Sequence, residues 1–128
     1  MHKRFLVIAA SLGFLAVALG AFGAHALKEQ LSTQSLATYE TGVRYQFYHV
    51  FALALTAILF QSFPNKKMVW AGKLFIAGIC IFSGSLYVLA LLNSDQYKWI
   101  GAITPFGGLC FLLGWISIVR GVLHKDAQ

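Results

Sequence analysis

The 128-residue chain is 59% hydrophobic and only 11% charged, with 11 phenylalanines and 12 glycines. That composition lies far outside the range of a soluble domain of this length, so folding has to be judged in lipid. The formal charge of +6 raises nucleic acid as a partner, but the basic residues flank apolar segments and form no single patch; no nucleic-acid role is expected.

Four stretches, Phe5 to Ala24, Tyr45 to Phe63, Leu74 to Leu92 and Trp99 to Val119, contain no Asp, Glu, Lys or Arg. Crossing about 30 Å of hydrocarbon takes about 20 apolar residues, so each is long enough to span a bilayer. Lipid offers the backbone no hydrogen bonds, which leaves helices or a closed barrel, and apolar runs without period-two alternation exclude the barrel. The expected fold is an all-α membrane protein, a four-transmembrane-helix antiparallel bundle. It forms a single integral membrane domain over residues 1–128, with spans near 5–25, 43–63, 73–92 and 99–119.

The first apolar run, closed by Ala24-His25-Ala26, imitates a secretory signal with a cleavage site. Its core of about 20 residues exceeds the usual 7 to 15 of a signal peptide and three further spans follow, so a retained helix is expected. Ala9 and Gly13, then Ala16, Gly20 and Ala24, recur four apart. Such rows let helix backbones approach closely and argue for a central position; the plainer account is that small residues are common in membrane helices.

Residues 27 to 44 form the one sizeable polar segment, yet Leu31, Leu36, Tyr39 and Val43 are spaced for one helix face. A surface helix is expected there, capped by Ser32, Thr33 or Ser35 and running on into the second span. Pro64 and Asn65 end the second helix, and Asn93-Ser94-Asp95-Gln96 is a polar turn. Trp70, Tyr97, Trp99 and Trp115 are expected at headgroup level. Cys80 and Cys110 fall within apolar runs and read as small apolar residues, with no disulfide or metal spacing.

Lys3, Arg4, Lys66, Lys67, Lys73, Arg120 and Lys125 fall on one side of the expected bundle, opposed only by Asp126. On the other side Lys28, Arg44 and Lys98 balance Glu29, Glu40 and Asp95. The positive-inside rule then places both termini in the cytoplasm.

The densest polar cluster is Glu40 to His49. On a helix Glu40 and Arg44 are neighbours, Arg44 and Tyr48 follow, and Tyr45 and His49 form a second row. With His25 expected at a similar level, His25, Arg44, Tyr45, Tyr48 and His49 make a candidate outward-facing site for a lipid headgroup, a small anion or a proton. The competing account is interfacial anchoring by Tyr and Arg, with neutral histidines bonded between helices. Two histidines without a carboxylate or thiolate make no metal site, and no nucleophile and base stand at a recognisable spacing. No cofactor is expected.

Pro105 is expected to kink the fourth span and free the Gly101 carbonyl, with Ser83, Ser85, Tyr87 or Thr104 supplying a partner across the interface. Freed carbonyls of this kind serve as ion sites in some transporters, though packing adjustment is the commoner outcome.

Gly20-Ala21-Phe22-Gly23-Ala24-His25, Tyr45-Gln46 with His49, Phe82 to Tyr87, and Thr104-Pro105-Phe106-Gly107-Gly108 together resemble the signatures of the YgdD-like domain-of-unknown-function 423 family. The resemblance covers nearly the whole chain apart from the Lys66 to Lys73 loop and the tail. It implies a small multipass protein of the bacterial plasma (inner) membrane without an assigned activity. It also favours Tyr45 and His49 over Arg44 as ligand residues, since that position carries either sign in the family pattern.

The expected function is non-enzymatic: an envelope protein in contact with membrane lipid that assembles as a homo-oligomer or with other membrane proteins. The alternative is a small carrier or channel, proton- or anion-linked, leading from the His/Tyr/Arg cluster to Pro105.

Overall fold

The computed structural model describes residues 1–124, and among them it contains helices and turns but no strand. Lys125 and Asp126 of the charge balance lie outside the described residues. Helix α1 spans Lys3–Phe22 and continues through a π-helical turn, Gly23–Leu27. Helix α2 spans Thr33–Leu59. Helix α3, Lys66–Gly78, joins α4, Gly84–Leu92, through a second π-helical turn, Ile79–Ser83, and a 3₁₀ segment, Asp95–Ala102, leads into α5, Thr104–Val122.

Among the described residues three helical stretches are long and apolar enough to cross a membrane: Lys3–Leu27, Lys66–Leu92 and Asp95–Val122. Helix α2 is longer than α1 or α5 but stands outside that set, because Glu40, Arg44, Gln46 and His49 interrupt its apolar character.

Local chemistry sets the boundaries. Ser32 accepts a hydrogen bond from the Ser35 N–H at 3.1 Å and starts α2, which runs unbroken for 27 residues. Asn65 follows Pro64 and caps α3, accepting from the Lys67 and Met68 N–H groups while its amide donates to the Gly121 carbonyl. Asn93 ends α4 in the left-handed region at φ 45° and accepts from the Ser32 hydroxyl at 3.2 Å, clasping two connections together.

Successive long helices alternate in direction. His2 donates its N–H to Ala57, Phe5 covers Gly72, and Met68 lies against Gly121, which gathers the ends of α1, α2, α3 and α5. At the other end Tyr39 lies on Gly23 and Tyr87 on Gly42. A large cluster built on Phe5, Leu53, Met68, Phe75, Ile79 and Phe111 fills the first end; a smaller one on Leu27, Tyr39 and Ala90 fills the second.

Two expectations are corrected, the central position of the first helix and the kink at Pro105. The central helix is α2, which touches α1, α3 and α4, whereas α1 packs mainly on α2 and buries little of itself. Residues 33–44 form the first turns of an unbroken α2, as the Ser32 cap implies, with Tyr39 and Val43 packed toward α1 and α4 and Glu40 and Arg44 exposed. Pro105 does not kink a span; it sits in the first turn of α5, where its missing N–H breaks no ladder. Trp115 is 42% exposed, with one side of its ring turned toward His49 and Phe75.

Candidate functional site

The inner face of α2 is written in one seven-residue rhythm. Tyr39, Gly42, Gln46, His49, Leu53 and Thr56 alternate spacings of three and four, and all are buried. Each polar group on this face reaches a partner. The Tyr39 hydroxyl donates to the Leu19 carbonyl at 2.7 Å, and Gln46 donates its amide N–H to the Leu12 carbonyl at 2.8 Å. Tyr87 donates to Gln46 Oε1 at 2.6 Å, Ser83 donates to the Gly42 carbonyl at 2.7 Å, and Thr56 donates to Ala52. Among the described residues no buried side-chain nitrogen or oxygen lacks a hydrogen bond. In a medium without water such bonds fix which helix faces meet.

His49 lies deepest. Its Nδ1 is 2.8 Å from the Tyr45 carbonyl, its Nε2 is 3.4 Å from Trp115 Nε1, and its ring stacks on Phe111 at 3.4 Å and 5°. Indole nitrogen only donates, so Nε2 accepts and the proton sits on Nδ1, where it is given to Tyr45. The neutral ring satisfies both contacts.

The five residues grouped as a site are divided by the fold. His25 is exposed in the first π-helical turn. Gly13 faces Val50 and Gly20 faces Val43, which puts His25 roughly 17 Å from His49 along the axis at 1.5 Å per residue. Arg44 and Tyr48 are exposed, and Glu40 forms no ion pair with Arg44; among the described residues the one ion pair is Asp95 with Lys98 at 3.1 Å. Tyr45 alone stays with His49, its ring on Phe82 at 4.7 Å.

These two border a lateral groove of about 500 Å³ between α2 and α5, lined also by Phe82, Pro105, Phe111 and Trp115. Its walls are almost wholly apolar. The residues expected to serve the Gly101 carbonyl have other partners: Ser83 and Tyr87 as above, and Ser85 with Thr104 at 2.7 Å, joining α4 to α5. No group of three or more His, Cys, Asp or Glu stands close enough for a metal among the described residues.

Gln46 stands in the sequence only as part of a motif, and Phe111 and the inward contacts of Trp115 come from the fold alone. A signal for Gln46 is present in its place on the seven-residue rhythm. Nothing local to Phe111 or Trp115 points to His49, because those contacts arise only when α5 packs.

Apolar helices joined through a polar seam define a small all-helical membrane protein. The family model described as "Protein of unknown function (DUF423)" matches residues 19–108, including Lys66 to Lys73, a stretch read as a loop in the sequence but helical as the start of α3, and the chain belongs to that family. It is similar to the UPF0382 membrane protein YwdK of Bacillus subtilis, 42% identical over 91% of this chain and 94% of the relative. A UPF0382 membrane protein of Haemophilus influenzae is 42% identical over 94% of both chains, and the UPF0382 inner membrane protein YgdD of Escherichia coli is 36% identical over 97% of this chain and 93% of its own. No solved structure matches the chain.

Proposed function

We propose that the chain crosses the plasma membrane four times with both termini in the cytoplasm and acts without catalysis, by assembling laterally with membrane helices of its own kind or of other proteins. Of the residues that lower the hydropathy of α2, Gln46 and His49 face inward and are bonded there, while Glu40 and Arg44 are exposed nearer its first turns, which suits a fourth pass. The basic end supplies the orientation.

The observation that carries the assembly reading is a groove of about 330 Å³ on the α1–α2 face, where the small residues Ala9, Ala10 and Gly13 lie between the larger Phe47, Val50 and Phe51. Close backbone approach is what holds helices together in lipid. Cysteine placed at Ala10 is expected to crosslink to a neighbouring chain in native membranes, and Ala10→Leu is expected to abolish the capture of partners. A chain that is strictly monomeric in lipid, with no crosslinked partner in cells, sinks the reading.

A second reading, a small carrier, draws on the groove that joins Tyr45 and His49 to Pro105. Liposome flux that disappears in His49→Ala supports it; flux that is absent, or unchanged in that variant, removes it.

A further inference from the structure

Six cations converge on one end of the bundle. Lys3 and Arg4 open α1, Lys66 and Lys67 open α3, Lys73 follows two turns on, and Arg120 closes α5. Five of the six are exposed and Lys67 is half-buried. Glu29, Glu40 and Asp95 all belong to the opposite end, so no described carboxylate offsets this one. Lys67 Nζ lies 3.0 Å from His124 Nδ1, and Lys73 Nζ lies 5.4 Å from the centre of the exposed Trp70 ring.

An orienting bias needs only a count of cations near span ends. This end has more than a count. Below Lys3 and Arg4 runs a groove of about 340 Å³ walled by Val7 and Ile8, so two cations stand over an apolar trough. Trp70 and Lys73 repeat the pattern on α3, with an amphipathic ring and a snorkelling ammonium side by side. A soluble anion uses the cations alone, whereas a molecule with a phosphate and an alkyl chain uses both.

We propose that this end is a docking surface for anionic phospholipid, the headgroup phosphate held by Lys3 and Arg4 with the lysines of α3 adjoining, and an acyl chain lying along Val7 and Ile8. The inference rests on the reading that this end meets a bilayer face. Each basic group at an anionic surface multiplies attraction roughly five-fold, and the effect weakens as salt shortens the screening length.

The test uses the full chain reconstituted in phosphatidylcholine, with spin-labelled phosphatidylglycerol and spin-labelled phosphatidylcholine as probes. Their association is compared by the immobilised fraction of the electron spin resonance spectrum. The wild type is expected to prefer phosphatidylglycerol, and Lys3→Gln with Arg4→Gln is expected to lower that preference at least about five-fold. Lys28→Gln with Lys98→Gln removes equal charge from the opposite end and is expected to leave it unchanged. If the first double variant fails to insert, Lys66→Gln with Lys67→Gln carries the same prediction. Equal association of the two lipids overturns the proposal, as does equal loss in the opposite-end variant. So does displacement of the lipid by inorganic phosphate beyond that caused by sodium chloride of matched ionic strength, which marks a soluble-anion site. Reporter fusions at both termini read the topology separately, so a wrong orientation and a missing lipid preference give different results.

Discussion

The two ends of the bundle use one packing device with two chemistries. At the end that holds the basic residues, Phe5 covers Gly72, Phe75 covers Gly114, Phe111 covers Gly78 and Met68 covers Gly121. At the other, Tyr39 covers Gly23 and Tyr87 covers Gly42, and each ring carries its hydroxyl on to an acceptor. In both places a large side chain lies where a glycine presents no Cβ. Lipid tails are as apolar as the interior, so this contact area is the main adhesive of the side chains at the first end, beside the Asn65 amide on Gly121 and the His2 N–H on Ala57. The second end adds directional bonds, which reject slipped or rotated arrangements that shape alone tolerates.

The contrast is broken most severely where the ends meet. Gly107→Ala directs a methyl group onto the backbone of Phe82, which has no side-chain freedom to yield, and about 3 kcal/mol of stability is expected to be lost in denaturant titration of the detergent-solubilised protein. Gly108→Ala next to it, with 3.9 Å to its nearest neighbour, is expected to change little.

Gln46→Leu comes next. It strands the Tyr87 hydroxyl inside the bundle and is expected to cost about 2 kcal/mol; Tyr87→Phe in the same chain is expected to recover part of it, read as coupling in a double-mutant cycle.

Exchanging the chemistries sharpens the comparison further. Phe75→Tyr adds a hydroxyl to the fully buried apolar end at a cost of about 1 to 3 kcal/mol, whereas Tyr39→Phe removes a bonded one for about 1 kcal/mol. Equal losses would show that the hydroxyls contribute nothing beyond their rings.

The smallest effect is one of pH. Burial raises the Tyr39 phenol above its ordinary value of 10.0, so the unfolded chain ionises first. The native state then binds more protons above that value, and stability is full below it and falls as pH rises through the shifted value. Tyr39→Phe is expected to flatten this alkaline slope in unfolding curves.

Much of the architecture is legible in the order of residues. Charge-free runs stand out because lipid excludes charge, Ser32 is among the residues that mark a helix start, and Pro64 with Asn65 and the turn at Asn93 mark breaks for backbone reasons visible in any sequence. The candidate site is legible only in part. Tyr45 and His49 share one helix, so their spacing fixes their proximity, whereas the level of His25 depends on how α1 docks against α2. Pro105 shows why a breaker alone is ambiguous: the same ring that bends a helix interior is at ease in a first turn. The role of Gln46 follows from the seven-residue rhythm, yet its partners, Leu12 and Tyr87, come from two other helices and no local pattern announces them.

The π-helical turn at Ile79–Ser83 lets its own first and last residues, Phe75 before it and Ala90 after it all point inward, cancelling the rotation of about 80° that the steps from 75 to 83 would accumulate on a regular α-helix. It acts as a one-residue phase correction. Deleting any residue from this turn would swing α4 by about 100° relative to α3. The length of that five-residue passage is therefore as strict a requirement as its composition, and homologous chains that keep the packing at both ends should tolerate substitution there far better than a change in the number of residues.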